Sequence, residues 1–138
     1  MNQTLKRYMA VVLLVSGITG CTGLKHDAKV DSSRLDPKDE VAGLASARWD
    51  ALIKGDLAKA YEYLSPGTRS LMSLDLYKAK IRTGSWKKAT VDSVSCDKDS
   101  CKVSLLIEHS FKGMKSIETP LFEDWLQESG RWWFVPRK

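Results

Sequence analysis

The chain has little of what acid–base and metal chemistry draw on: two histidines and three cysteines in 138 residues. His26 lies in a polar stretch and reads as solvated, which leaves His109 as the histidine set among apolar residues. No phosphate-cradling glycine loop, nucleophile elbow or zinc signature occurs, so those three chemistries have no motif to rest on. No metal and no cofactor is expected. Excess charge is also scarce. A formal net of +5 is too small to argue for nucleic acid. Apolar runs are short as well: the longest, Tyr8 to Ile18, is about eleven residues, against the ~20 that a membrane-spanning helix needs. Internal repeats and low-complexity segments are absent.

What is there begins with an address. Lys6 and Arg7 precede the apolar run, and small residues close it, the pattern of a secretory signal. Ile18-Thr19-Gly20-Cys21 resembles the bacterial lipobox, an aliphatic residue and two small ones before a cysteine. The resemblance implies cleavage after Gly20 and a diacylglycerol on the sulfur of Cys21, usually with an N-acyl chain as well. Several acyl chains together anchor a protein firmly to a membrane. Thr22 follows, where an aspartate would be the inner-membrane retention signal of Gram-negative enterics. The expected location is therefore the cell envelope, at the outer membrane facing the periplasm. An ordinary signal peptide with an incidental cysteine is the competing reading. Removing Lys6 and Arg7 from the 22 basic residues leaves 20 against 17 acidic ones, a net of +3. The organisation expected is a signal peptide over 1–20, a lipidated cysteine and flexible tether over 21–36, and one domain over 37–138. A flexible tether of that length spans roughly 20 Å.

The domain opens with Asp36-Pro37, a capping carboxylate followed by a proline suited to the first helical turn. Val41, Ala45, Trp49 and Leu52 recur at helical spacing, with Leu44 and Ile53 beside them, and Gly55 ends the pattern. Asp56 caps a second helix carrying Leu57, Ala60, Tyr61 and Leu64, which Pro66-Gly67 is expected to stop. Ser73 caps a third, with Leu74, Tyr77 and Ile81, ending near Gly84. From Ser85 the period changes to two. Trp86–Cys96, Cys101–Phe111, Ser116–Gln127 and Arg131–Val135 read as strands, the last two joined by Glu128-Ser129-Gly130. Val103, Leu105, Ile107, His109 and Phe111 share one face of the second strand. Helices followed by antiparallel strands predict an α+β domain with its helices packed on the sheet.

Cys96 and Cys101 flank the polar turn Asp97-Lys98-Asp99-Ser100. Cysteines facing each other across a hairpin end can meet disulfide geometry, and an exported protein matures under oxidising conditions. A metal site from this pair with Asp97 or Asp99 is the alternative, without a second cysteine pair or a nearby histidine to complete it.

Two segments have a wider likeness. Ala47-Arg48-Trp49-Asp50-Ala51-Leu52-Ile53-Lys54-Gly55-Asp56 with Ala60-Tyr61-Glu62-Tyr63-Leu64-Ser65-Pro66 resembles the opening helices of the nuclear transport factor 2-like superfamily. Trp125-Leu126-Gln127-Glu128-Ser129-Gly130-Arg131-Trp132-Trp133-Phe134-Val135 resembles its closing hairpin. The resemblance covers about residues 37–136 and rests on packing and turn features. It implies a cystatin-like cone, a curved antiparallel sheet around a long helix with a pocket at the open end. Members include ketosteroid isomerase-like and dehydratase-like enzymes, transport receptors, and pocketed proteins without chemistry, so the fold alone does not choose.

The ketosteroid isomerase-like members use an aspartate base with a tyrosine and a second carboxylic acid, and those roles find no matching positions here. No catalytic residue is assigned. The candidate pocket is Trp49 and Leu52 from the first helix, Tyr61 from the second, and Ile107, His109 and Phe111 from the sheet. Such a lining favours an apolar or aromatic ligand, with His109 and the Tyr61 hydroxyl as orienting groups. The expected function is a membrane-anchored lipoprotein that binds a small apolar ligand or an envelope protein. The alternative is a small-molecule isomerase, dehydratase or hydrolase using His109. Trp132-Trp133 alternate across a strand, so one of them is expected to face outward as a contact candidate. Lys78, Lys80, Arg82, Lys87 and Lys88 form a basic cluster in sequence, suited to solvent, anionic lipid headgroups or an acidic partner.

Overall fold

The computed structural model describes residues 35–110 and 116–137. The signal segment, Cys21, His26 and almost all of the tether lie outside the described residues, as does Phe111. Four helices, α1 (Pro37–Lys54), α2 (Leu57–Tyr61), α3 (Pro66–Leu71) and α4 (Leu74–Lys80), precede four strands. The strands β1 (Trp86–Asp97), β2 (Ser100–His109), β3 (Ile117–Glu128) and β4 (Arg131–Val135) form one antiparallel sheet in the order β1-β2-β3-β4. The fold class is α+β, helices packed on an antiparallel sheet, as the sequence pattern predicts. No helix among the described residues is long and apolar enough to cross a membrane.

Local chemistry sets the helix boundaries. The Asp36 carboxylate accepts from the Lys38 amide at 2.9 Å, and Pro37 occupies the first turn of α1. Gly55 ends α1 at φ 77°, a left-handed conformation that side chains with a Cβ resist. Asp56 caps α2 by accepting from the Lys59 amide at 3.0 Å. Two expectations are corrected here. α2 stops at Tyr61 and does not run on to Leu64, because the edge of β4 captures the following backbone. The Phe134 amide donates to the Tyr63 carbonyl at 2.8 Å, and the Ser65 amide donates to the Phe134 carbonyl at 3.1 Å. Pro66-Gly67 then starts a helix and does not merely stop one: Ser65 caps α3 through the Thr68 amide, with Pro66 in its first turn.

β1 contains two register irregularities, at Lys87 and Asp92, each an extra residue opposite the regular run of β2. Bulges of this kind increase strand twist and bend. They also reset the parity, so that Trp86, Ala89, Val91, Val94 and Cys96 are the partly buried residues of the strand. Across the ladder these meet the inward row of β2, where Cys101, Val103, Leu105 and Ile107 are fully buried. Val41, Ala45, Trp49 and Leu52 of α1 complete the core with Ala60, Leu64, Trp125 and Trp132. Fully burying side chains of this size stabilises by ~1.5–3 kcal/mol each. Cys96 and Cys101 pair across the β1–β2 hairpin as a disulfide, with their Cα atoms 4.0 Å apart. Among the described residues no group of three or more His, Cys, Asp or Glu side chains is placed to hold a metal.

Candidate functional site

Pairing between β3 and β4 ends at Asp124 and Val135. The stretch of β3 before Asp124 therefore has no neighbour on that side, and a cleft of about 290 Å³ opens between it and α1. Its walls are mainly apolar. Trp49 and Leu52 come from α1, Ile81 follows α4, Trp86 opens β1, Leu121 and Phe122 come from β3, Phe134 and Val135 end β4, and Pro136 and Arg137 follow it. Trp49 and Trp86 meet edge to face with ring centroids 5.3 Å apart, a geometry aromatic pairs favour. Phe122 stays 55% exposed at the rim.

Arg48 and Glu123 also line this cleft, and both are almost completely buried. Arg48 occupies the inward stripe of α1, spaced with Val41, Ala45 and Leu52. Glu123 stands on the inward parity of β3, opposite Val103 and two residues from the buried Trp125. The Arg48 Nη1 donates to Glu123 Oε1 at 2.5 Å, and Trp49 Nε1 donates to the same oxygen at 2.7 Å. Trp125 Nε1 donates to the other oxygen, Oε2, at 3.0 Å. The guanidinium lies over the Phe134 ring, its Cζ 3.7 Å from the centroid, within cation–π range. Isolated, either ion at this depth costs several kcal/mol of desolvation; together, with two indole donors, they are tolerated.

The two ions are unequally satisfied. Three donors occupy the carboxylate, whereas the Nε of Arg48 is buried without a hydrogen-bond partner. The hydroxyl of Tyr77 and the indole nitrogen of Trp132 are likewise buried and unpartnered. Burial pushes the Tyr77 hydroxyl pKa above its ordinary value, against the downward pull of the nearby Arg48 charge. Arg48 opposes the rise both by its charge and as a hydrogen-bonding neighbour, although no bond of good geometry joins the two side chains.

The structure separates the candidate pocket residues. Trp49 and Leu52 line the cleft. Tyr61 does not: its hydroxyl donates to the Met72 carbonyl at 2.8 Å and its ring packs on Tyr77. Ile107 is sealed in the core at 1% exposure. His109 is half-buried opposite Trp86 and Ile117 and does not itself line the cleft. Arg48 and Glu123 are the residues sequence reasoning missed. Their signal was a charged side chain at an inward position of each element, opposite in sign.

Neither tryptophan of β4 is the exposed contact expected. Trp132 is buried, and Trp133 is covered by Arg69 and Arg131, whose guanidinium carbons lie 5.2 and 4.4 Å from its ring centroid. The basic cluster is exposed but spread out. Lys87 is a bulge residue, Lys88 stands opposite Glu108, and Lys80 borders an adjoining cleft of about 420 Å³ that shares Val135, Pro136 and Arg137 with the first.

Fold and site thus define a small α+β domain with an apolar cleft over a buried ion pair. No family model and no curated protein matches the sequence. Among solved structures, the chain is similar to a SEC-C motif containing protein from Rhodopseudomonas palustris. The identity is 19%, covering 64% of this chain and 70% of that one, with a TM-score of 0.52. A protein from Campylobacter jejuni assigned as an NTF2-like transpeptidase is 17% identical, covering 69% of this chain and 96% of that one, with a TM-score of 0.47. The likeness to the first is one of fold.

Proposed function

We propose that this is a cell-envelope lipoprotein whose nuclear transport factor 2-like domain binds a small apolar ligand in the cleft between α1 and β3. The observation that carries the reading is the state of the cleft's ionisable groups. Glu123 is tied by three donors, Arg48 is tied to Glu123, and Arg137 is paired with Asp124, while the rest of the walls offer aromatic and aliphatic surface. A general acid or base must be within hydrogen-bond reach of substrate and able to exchange a proton. Both oxygens of the Glu123 carboxylate are already engaged by three donors from the protein. The isomerase-type alternative places its chemistry on His109, which does not line this cleft.

The cleft's own tryptophans report on occupancy. Isopropylbenzene, an apolar probe, should shift the indole resonances of Trp49 and Trp86 in the Cys21→Ala chain. Ile81→Trp, which fills the cleft from its wall, should abolish the shift. Unmoved resonances at saturating probe would overturn the binding reading. Attachment is tested separately: Cys21→Ala should abolish labelling by a radioactive fatty acid. Unmodified wild-type protein free in the periplasm would overturn the lipid anchor, and inner-membrane density on a sucrose gradient would overturn the outer-membrane location.

A further inference from the structure

We infer that Arg69 and Arg131, both resting on the indole of Trp133, form a binding site for a phosphate group, carried by a soluble molecule or by a lipid headgroup. The site shares no residue with the cleft between α1 and β3 and stands apart from the apolar-ligand reading. It is a hollow of about 310 Å³ lined by Glu62, Arg69, Arg131 and Trp133. The two guanidinium carbons lie 5.2 and 4.4 Å from the Trp133 ring centroid, within cation–π range. Such a contact gives a guanidinium no acceptor for its N–H groups. Among the described residues neither arginine has a carboxylate partner. Both sit so close to one centroid that they are nearer to each other than ~10 Å, the screening length at 0.1 M salt. Two like charges gathered in this way repel each other, and an anion between them relieves the repulsion.

The backbone places both forks. The Ser65 amide, at the cap of α3, donates to the Phe134 carbonyl at 3.1 Å, which seats the helix of Arg69 beside β4. The turn Ser129-Gly130, at φ 54° and 75°, starts β4 at Arg131. The acidic neighbours do not cancel this charge. Glu62 accepts from Lys59 Nζ at 2.7 Å, and Glu128, opposite Arg131 across the hairpin, neither pairs with it nor lines the hollow. Arg69, Arg131 and Lys59 set against Glu62 and Glu128 leave a positive balance. Geometry selects the kind of anion. Each arginine fork takes a pair of oxygens. A carboxylate has one pair and serves one fork, whereas the tetrahedral oxygens of a phosphate monoester can face both.

Inorganic phosphate titrated into the Cys21→Ala chain at fixed ionic strength should saturably shift the Trp133 indole resonance and the Nε–H resonances of Arg69 and Arg131. Acetate at the same concentration should shift them far less. Arg69→Lys and Arg131→Lys keep the charge and lose the fork. Each should lower phosphate affinity about tenfold, the effect of a charge-assisted hydrogen bond. Unchanged affinity in both lysine variants would overturn recognition by the forks. The absence of a saturable shift at millimolar phosphate, or equal shifts with acetate, would overturn the site altogether. If a variant does not fold, the comparison of phosphate with acetate in the parent chain decides alone. Sedimentation with phosphatidylcholine vesicles, with and without phosphatidic acid, separates the two sources. Binding that needs phosphatidic acid and weakens in both lysine variants assigns the phosphate to a lipid. Phosphate binding without vesicle binding assigns it to a soluble molecule.

Discussion

One oxygen of Glu123 accepts hydrogen bonds from two consecutive residues of α1, Arg48 at 2.5 Å and Trp49 at 2.7 Å. A single carboxylate on β3 therefore fixes the rotation of α1 about its axis: Arg48 and Trp49 project about 100° apart, and both must reach the same atom. Ordinary apolar packing tolerates small rotations of a helix, whereas two directed bonds to one oxygen do not. The cleft forms where this clamp holds α1 against the part of β3 that β4 leaves unpaired.

Removing the carboxylate should be far more damaging than removing the pair. Glu123→Ala leaves the Arg48 charge and two indole N–H groups buried without their acceptor, and breaking a buried pair from one side costs ~3–5 kcal/mol. Replacing both ions with methionines removes the charges together and should cost distinctly less. Urea denaturation of the two variants checks this. Equal losses in both would show that packing volume, and not the unpaired charge, is what Glu123 supplies.

The Cys96–Cys101 bridge closes a short hairpin, so its effect on the unfolded chain is modest, about 2 kcal/mol. Thiol alkylation of denatured, unreduced protein should leave both cysteines unmodified. Replacing both with serine should lower the urea midpoint without changing the folded spectrum. A variant that fails to fold would mean that the fully buried Cys101 matters as core and not chiefly as a crosslink.

The starts of α1, α2 and α4, the Gly55 stop, the α1 stripe and the strand sequence were legible because each is written in local pattern: a cap, a positive-φ residue, a period; the start of α3 at Pro66 was not. The α2 boundary was not, because the Tyr63 carbonyl accepts from Phe134 and the Ser65 amide donates to it, some seventy residues away. The same holds for β1, where bulges at Lys87 and Asp92 shift the inward parity in a way that only its partner reveals. Of the site, the apolar members Trp49 and Leu52 were visible from helical spacing. Arg48 and Glu123 stand at inward positions of their elements, but the meaning of that signal depends on the register that brings α1 over β3. Tyr61 and His109 share faces with core residues, yet do not line the cleft, whose opening is at β3 beside the end of β4.

Gly55 isolates a backbone effect. A Cβ added there meets nothing within 4 Å, while φ is +77°. Gly55→Ala should therefore destabilise by about 1 kcal/mol through conformation alone, visible as a lower denaturation midpoint with unchanged core spectra. Gly43, inside α1 and also with open space around it, is the matched control. Gly43→Ala should stabilise, since alanine favours helix interiors by roughly 0.8–1 kcal/mol over glycine. Equal effects of one sign at both positions would contradict the left-handed assignment at Gly55.

Tyr77 supplies the pH prediction. It is 3% exposed, its hydroxyl makes no hydrogen bond of good geometry, and burial raises its pKa above the ordinary tyrosine value despite the nearby Arg48. A folded-state pKa raised above the unfolded one means that the neutral form is the one the fold favours. The associated stability is fully present below about pH 10 and is lost as pH rises through the folded value. Ultraviolet titration of tyrosinate should show a fraction that ionises late, and Tyr77→Phe should remove that fraction. The same variant deletes an unsatisfied buried hydroxyl while keeping the ring against Tyr61, so at neutral pH it should be neutral or slightly stabilising. Loss of stability by ~1 kcal/mol or more at pH 7 would instead mean that the hydroxyl has a polar partner in solution.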